Sequence, residues 1–339
     1  MEFNFNDDQK AIRELAYQIF SDRASDEFML NFSRTDEVYD EGLWQTLAEQ
    51  GMLGIAVPEE HGGTGLGFVE LCLMLEEQGR RVAPVPLLSS LVLGGMALSQ
   101  FGTVEAQQQW LPALAAGKAK LSAAIAEMNM NAALRVPATF ARVGDSYVIS
   151  GERHMVPDGA VADAILVPAM DETGAKTAFI VDTSLPGVTL LGVPVGLSGE
   201  RAANMKLENV TVSGAAVLGE VGQGGEVMAY IEEYANVAQC ALQVGVAEEA
   251  MKRTAAYLGE REQFGVALGS FQALAMRMAD SYIDVEAIRS TYWLALWRLS
   301  EGLDARAEIR AAKWWACEGA HRVVCTAQHL HGGIGSDLE

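Results

Sequence analysis

Thiol and imidazole side chains, which are common zinc ligands, lie close together near the end of the chain. Cys317, His321 and Cys325 follow one another at four-residue spacing, so a helix would carry all three on one face. Such a face could hold a metal ion. Cysteines on the apolar face of a helix are more often ordinary core residues, and the sequence therefore predicts no metal site.

A second candidate is the glycine-rich stretch GQGGEV, residues 222–227, whose backbone could approach a phosphate group. A dinucleotide-binding glycine motif lies between a strand and a helix inside a βαβ unit. This stretch follows an edge-like strand outside any such unit. We therefore interpret it as a flexible segment that leads into a helix.

The charge and length of the chain limit the classes of protein it can belong to. With 24 Lys and Arg against 45 Asp and Glu, the 339 residues carry a formal charge of −21, which disfavours binding to nucleic acid or anionic membranes. The first residues, MEFNFNDDQKAIREL, predict an amphipathic helix rather than a signal peptide, and no apolar run reaches the roughly 20 residues of a membrane span. The four cysteines predict reduced, buried thiols. These features favour a cytoplasmic protein.

Three consecutive segments differ in their hydrophobic periodicity. Residues 1–120 repeat apolar side chains at intervals of three and four, which predicts a helical domain. Residues 121–217 contain short β-branched runs separated by turn residues, which predicts a small β domain. Helical spacing returns in residues 218–339, which would pack as an antiparallel four-helix bundle. The predicted fold is therefore α+β with three domains, without a parallel dinucleotide-binding sheet.

Two motifs in the last segment resemble those of the acyl-CoA dehydrogenase family. REQFGVALGSFQ, residues 261–272, matches the family pattern R-x-x-F-G-x-x-x-x-x-F-Q, and HLHGGIG, residues 329–335, is similar to Q-x-x-G-G-x-G. Residues 42–80 also resemble the N-terminal helix pair of the family with its glycine loop. The resemblance extends over nearly the whole chain.

The resemblance implies FAD as the cofactor. In the family, these two motifs reach across a subunit interface to the diphosphate and adenosine end of a neighbour's FAD. The guanidinium of Arg261 would suit a diphosphate because its N–H groups match two oxygens at once, and glycine lets the backbone approach closely. His329 stands where the family usually has Gln, which leaves one adenosine-side hydrogen bond open. The cofactor-binding residues that the resemblance predicts are Arg261, Gln263, Phe264, Phe271, Gln272, His329, Gly332 and Gly333.

The segments that hold the flavin ring in relatives are altered in this chain. Where the family has Trp-x-Thr, residues 155–157 read MVP, and Pro157 offers neither a hydroxyl nor a backbone N–H to the flavin. The companion loop, T-E-P-x-x-G-S-D in relatives, reads AEMNMNAA at residues 126–133. Two interpretations remain open. Either the flavin pocket of this subunit is degraded, or it is rebuilt by the methionines Met128, Met130 and Met155.

The catalytic base of the family has no counterpart at the expected position. Relatives carry a Glu 26 residues before the motif arginine, and counting back from Arg261 reaches Ala235. Glu232 and Glu233 lie one turn earlier, but a solvated helix face explains them more simply. Other relatives carry the Glu in a segment beyond the H-G-G-x-G motif, where this sequence ends at Glu339. The sequence therefore assigns no catalytic residue.

Contacts for a neighbour's FAD, beside an altered pocket and a missing base, resemble the non-catalytic subunit of a two-gene acyl-CoA dehydrogenase. The resemblance implies an α2β2 heterotetramer with a homologous catalytic subunit, similar to the enzymes of bacterial steroid side-chain breakdown. It would dehydrogenate the α,β bond of an acyl-CoA, with a steroid-CoA as the substrate by analogy, and pass electrons to an electron-transfer flavoprotein or a similar acceptor. Two alternatives are a self-sufficient homotetrameric dehydrogenase, with a base from Glu232, Glu233 or a later Glu, and a flavin-free scaffold subunit.

Overall fold

The computed structural model describes three stretches of the chain, residues 5–125, 138–195 and 200–337. The altered companion loop at residues 126–133 and the terminal Glu339 lie outside these stretches. Of the methionines considered for the flavin pocket, the structure describes Met155.

The described residues form two compact units. A bundle unit contains the residues up to Arg34, Phe68–Ala83 and the residues from Asn236 onward. A sheet unit contains Thr35–Gly67 and Pro84–Ala235. The three-domain division at 1–120, 121–217 and 218–339 remains a prediction.

Helices occupy the beginning and the end of the described chain, and the three longest follow the strands. They are α1 (Asp7–Arg23), α2 (Asp26–Phe32), α3 (Glu41–Glu49), α4 (Phe68–Arg81), α5 (Ala97–Phe101), α6 (Val104–Ala115), α7 (Gly224–Glu260), α8 (Gln272–Ser300) and α9 (Arg306–Leu330). Helix α1 begins at a capping box, because the Asn6 side chain accepts from the Gln9 backbone N–H while the Gln9 side chain accepts from the Asn6 backbone N–H. A π-helical segment, Leu88–Met96, precedes α5.

The bundle unit is formed by α1, α2, α4, α8, α9 and the later part of α7. Helix α4 is buried almost all round, from Leu71 to Arg80, which is typical of a helix surrounded by others. Two glycines let α4 and α7 touch through their backbones. A Cβ on Gly79 would lie 2.1 Å from the carbonyl oxygen of Leu242, and a Cβ on Gly245 would lie 2.0 Å from that of Glu76. The absence of a side chain at both positions therefore sets how closely these helices approach.

The sheet unit is built on strands β1 to β8, with α3, α5, α6 and the start of α7. The strands are β1 (Leu121–Ala123), β2 (Thr139–Val143), β3 (Ser146–Pro157), β4 (Ala164–Met170), β5 (Lys176–Asp182), β6 (Val188–Val195), β7 (Glu200–Ser213) and β8 (Val217–Leu218). In the described residues their order is β6–β7–β3–β2–β4–β5–β8, with β1 beside β4. The pairs are antiparallel except β1–β4 and a single β2–β4 pair. Phe140, Tyr147 and Phe179 belong to the core of this unit, and their rings contact one another.

The predicted α+β fold is confirmed, because helices precede the strands and long helices follow them. The prediction of four buried cysteines is wrong in part. Cys72 and Cys240 are buried, but Cys317 and Cys325 on α9 are exposed within the described structure. The spacing of the two cysteines on α9 predicts that they share one face of the helix. It does not show whether another element covers that face. No helix in the described stretches is long and apolar enough to span a membrane.

Candidate cofactor-binding site

The bundle unit contains an open cavity of about 460 Å³ at the end of α7. A two-stranded hairpin, β9 (Glu262–Gln263) and β10 (Val266–Ala267), and the turn Gly332–Ser336 after α9 form its other sides. Four of the predicted FAD-binding residues meet here, although they come from two separate sequence motifs. The lining residues are Tyr257, Arg261, Gln263, Leu268, Leu330, His331, Gly332, Gly333, Ile334 and Asp337.

The hairpin places Arg261 at the mouth of this cavity. Gln263 pairs with Val266, and the two residues between them have positive φ, 57° at Phe264 and 81° at Gly265. Two positive φ angles at the centre of a two-residue connection are typical of a tight type I′ hairpin. Arg261 is tied to both sides of the turn, since its backbone N–H donates to Tyr257 and its carbonyl accepts from Leu268.

The Arg261 guanidinium forms no hydrogen bond or ion pair with any other described residue. Its charge is therefore free to meet an anion. On the opposite motif, a Cβ built on Gly332 or Gly333 would meet nothing within 4 Å, and Gly332 has a φ of 65°. A guanidinium and an open glycine backbone that line the same cavity suit the diphosphate of a dinucleotide, so the residues present fit the FAD that the family resemblance implies.

Six of the lining residues were not among the predicted FAD-binding residues, and two of these six, Tyr257 and His331, pack against each other. The ring of His331 stacks on that of Tyr257, with centroids 4.5 Å apart and planes 23° apart. The Nδ1 atom of His331 lies 2.7 Å from the carbonyl oxygen of Ala327. His331 directly precedes the glycine pair, which is the feature of the sequence that could have identified it. The sequence analysis instead placed the adenosine-side contact at His329, because the family usually has Gln at that position. His329 is exposed and is not part of the cavity lining.

The remaining predicted residues lie near the cavity without lining it. Phe264 is 93% exposed at the hairpin tip, and its ring centroid lies 6.3 Å from that of Phe271 in an edge-on arrangement. Gln272 is the first residue of α8. Their contacts with FAD, like those of His329, stay predictions.

The sheet unit holds residues 155–157, which the family resemblance predicts to stand at the flavin-contacting segment. Strands β3 and β7 lose their regular register between Arg153 and Val156, and Met155 there has a φ of 54° and is partly exposed. The carbonyl of Pro157 accepts a hydrogen bond of 2.5 Å from the hydroxyl of Ser122. Because proline has no N–H, this position offers a flavin no backbone donor. The next side chain, Asp158, accepts a 2.6 Å hydrogen bond from Ser89.

The position of the family base lies on the part of α7 that belongs to the sheet unit. Ala235 is buried there, with 4% of its surface exposed. Glu232 is exposed and Glu233 is partly buried. Tyr230 and Tyr234 lie side by side on the same helix with ring centroids 4.2 Å apart, and burial, with the neighbouring Tyr234, raises the pKa of Tyr230. The position of the family base is therefore occupied by a buried alanine, which carries no carboxylate.

A carboxylate with a raised pKa does occur in the bundle core. Burial raises the pKa of Glu76 to about 7, although Arg13 and Arg289 act in the opposite direction. Glu76 is only 1% exposed. A catalytic base must reach its substrate, so we assign Glu76 to the structure of the bundle rather than to catalysis.

Potential metal ligands do not converge in the described structure. The Sγ atom of Cys325 lies 3.7 Å from Nε2 of His321, one helical turn away on α9. No group of three or more His, Cys, Asp or Glu side chains in the described ranges is arranged to hold a metal ion.

The chain belongs to the acyl-CoA dehydrogenase family. The N-terminal domain of this family matches residues 6–118, and its C-terminal domain matches residues 222–339. Members of the family are FAD-binding oxidoreductases that act on CH–CH bonds.

Three known proteins show how this chain relates to the family. The acyl-CoA dehydrogenase FadE27 of Mycobacterium tuberculosis is 34% identical over all of this chain and 90% of its own length. A chain of the ChsE4–ChsE5 complex from the same organism superposes with a TM-score of 0.91 at 34% identity, covering 100% of this chain and 90% of that chain. A chain of the Tcur3481–Tcur3483 steroid ACAD superposes with a TM-score of 0.88 at 38% identity, covering 97% of this chain and 88% of that chain.

Proposed function

We propose that this chain is a subunit of a heteromeric acyl-CoA dehydrogenase in which it completes the FAD site of a homologous catalytic partner. The observation that carries the proposal is the guanidinium of Arg261, which has no partner among the described residues and lines the same cavity as Gly332 and Gly333. A cation with no partner in the described part of its own subunit is suited to an anion supplied by a neighbour.

The cavity residues have distinct tasks in this proposal. Arg261 binds the diphosphate, and the backbone at Gly332 and Gly333 allows the diphosphate to approach closely. Gln263, whose Nε2 now donates to the carbonyl of Glu262 at 2.8 Å, offers a further polar contact to the adenosine end. When bound, FAD supplies the acceptor for the hydride that leaves the β-carbon of the acyl group.

This chain leaves the reacting end of the substrate to the partner. Pro157 cannot donate to a flavin, and Ala235 cannot remove the α-proton. We therefore place the catalytic carboxylate and the flavin ring in the partner subunit. In this arrangement the assembly has half as many active sites as chains.

The relatives support a heteromeric assembly and suggest the substrate. The ChsE4–ChsE5 structure is a complex, and the Tcur3481–Tcur3483 protein is a steroid ACAD. By this likeness we propose an α2β2 tetramer that acts on a steroid-CoA thioester in the cytoplasm. An electron-transfer flavoprotein or a similar acceptor would then reoxidise the flavin.

The proposal is tested by expressing this chain alone and together with the product of the neighbouring dehydrogenase gene. Bound FAD and the dehydrogenation of a panel of acyl-CoA esters, including steroid-CoA thioesters, are measured for both preparations. We expect flavin and activity only in the complex, with half as many FAD molecules as chains. An active, flavin-saturated homotetramer of this chain would overturn the proposal. If the complex is active but its FAD content does not depend on this chain, the flavin-free scaffold alternative is favoured instead.

A further inference from the structure

A smaller cavity, of about 200 Å³, lies in the sheet unit and is lined by residues of α6, β5 and β7. We call it the α6 cavity. Three of its lining residues, Ala106, Ile180 and Val212, are apolar and buried. Pockets that hold a whole drug-sized ligand or cofactor typically measure about 300–1,000 Å³. The α6 cavity is therefore better suited to one side chain of another protein.

Polar groups with unused hydrogen-bonding capacity accompany this apolar lining. The Oδ1 atom of Asp182 accepts from the backbone N–H and the hydroxyl of Ser184, but its Oδ2 atom bonds to no described residue. Asp182 is partly exposed. The exposed side chains of Gln109, Thr211 and Ser213 also form no hydrogen bond within the described stretches. Several acceptors thus line the cavity together with a carboxylate.

The charge of Asp182 is not neutralised inside the α6 cavity. No Lys, Arg or His is among the described residues that line it, and Asp182 forms no ion pair in the described part of the chain. The chain as a whole carries a formal charge of −21, which attracts cationic partners over a longer range. Both the local and the overall charge favour a cationic occupant.

The lining favours a guanidinium over an ammonium group. Trp110 lines the cavity and is partly exposed, and its indole N–H donates to no residue in the described ranges. A guanidinium is planar, stacks on aromatic rings and carries five N–H donors, so it can meet a carboxylate and neighbouring acceptors at once. The aliphatic stem of an arginine would cover the buried apolar residues.

We propose that the α6 cavity receives an arginine side chain of a partner protein, with the guanidinium bound to Asp182 beside Trp110. This docking site belongs to the sheet unit, whereas the cavity proposed for FAD belongs to the bundle unit. The proposal therefore does not depend on the proposed function, and either can fail without the other.

The test titrates the purified full chain with N-acetyl-arginine amide, a capped mimic of an arginine within a protein, at constant ionic strength. Binding is measured by saturation-transfer NMR. N-acetyl-citrulline amide is the matched control ligand, because it has nearly the same shape without the charge. Asp182→Asn keeps an acceptor for Ser184 but removes the charge, and Trp110→Leu removes the aromatic ring. Asp145→Asn is the matched control variant, since this exposed carboxylate of the same unit lies outside the cavity.

We expect the unmodified chain to bind the arginine compound at least about tenfold more tightly than the citrulline compound, because the bond to Asp182 is charge-assisted. Asp182→Asn should weaken binding of the arginine compound about tenfold, and Trp110→Leu should weaken it about threefold. Asp145→Asn should have no effect. Equal binding of the two compounds to the unmodified chain, no detectable binding, or an unchanged affinity in Asp182→Asn would overturn the proposal.

Free arginine distinguishes a partner protein from a small metabolite as the source of the guanidinium. A cavity built for a protein side chain should bind the capped compound at least as tightly as free arginine, since a residue within a chain carries neither an α-ammonium nor an α-carboxylate group. If free arginine binds more than about tenfold more tightly than the capped compound, the occupant is the free amino acid and the proposed docking site is wrong.

Discussion

Arg80 on α4 and Glu248 on α7 form an ion pair of 2.8 Å inside the bundle unit. Arg80 also donates to Glu77 at 2.8 Å, and Glu248 lies 3.2 Å from Arg289 on α8. Arg80 is buried and the Glu248 side chain is 14% exposed, so solvent screens these pairs less than it would at the surface. The network links three helices of the unit.

Removing the charge of Glu248 should destabilise the protein. Burial would raise the pKa of Glu248, but Lys252 and Arg80 more than offset it and lower the pKa to about 2. A carboxyl group whose pKa is lower in the folded state stabilises the protein at pH values above its pKa in the unfolded state, near 4.5. This stabilisation is lost as the pH falls from 4.5 towards 2. Glu248→Gln should therefore cost about 2–3 kcal/mol in urea unfolding at neutral pH, and its effect should shrink below about pH 4. If Glu248→Gln costs the same at both pH values, the ion pair is not the cause.

Glu76 should have the opposite pH dependence. Its pKa is raised to about 7 by burial, so the folded state loses stability as the pH rises from 4.5 towards 7. Glu76→Gln removes the need to bury a charge and should stabilise the protein by up to about 3 kcal/mol above pH 8, with little effect near pH 5. The exposed Glu14→Gln on α1 is the control. A pH-independent effect of Glu76→Gln in urea unfolding would contradict the assignment.

The contact between the backbones of α4 and α7 should not tolerate a methyl group at Gly245. Gly245→Ala would place Cβ 2.0 Å from the carbonyl of Glu76, so the helices must separate. We expect a loss of about 2–4 kcal/mol in urea unfolding. Gly259→Ala is the matched control on the same helix, because its Cβ would meet nothing within 4 Å and should stabilise the helix by up to about 1 kcal/mol. Equal effects of the two substitutions would show that helix propensity, rather than this contact, determines the result.

The carboxylates of α7 in the sheet unit should not be catalytic. In the assembled enzyme, Glu232→Gln and Glu233→Gln should each leave kcat/KM within about twofold, because we propose that the base belongs to the partner. A fall of about 100-fold or more in either variant, with FAD still bound, would identify that residue as the base and favour the self-sufficient enzyme.

The two sequence motifs pointed to one site, and residues of both motifs line one cavity in the structure, while their contacts with FAD stay predictions. The β9–β10 hairpin that carries Gln263 was not predicted, because the motif pattern fixes residue types and spacing without fixing the backbone conformation. The stack of His331 on Tyr257 could not be predicted, because it joins the ends of two helices that are distant in sequence. Similarly, the polar run EEQGRR, residues 76–81, does not show that Glu76 is buried, because its burial comes from the helices that pack around α4.

The FAD content of the complex that carries Arg261→Ala in this chain tests the central claim most directly. The flavin-to-protein ratio is measured after gel filtration, beside an unmodified complex and a complex with Arg34→Ala, an exposed arginine outside the cavity. We predict that Arg261→Ala leaves the assembly intact but loses most of the FAD, while Arg34→Ala retains it. Full retention of FAD in the Arg261→Ala complex would contradict the account, because the cavity would then contribute nothing to the partner's cofactor site.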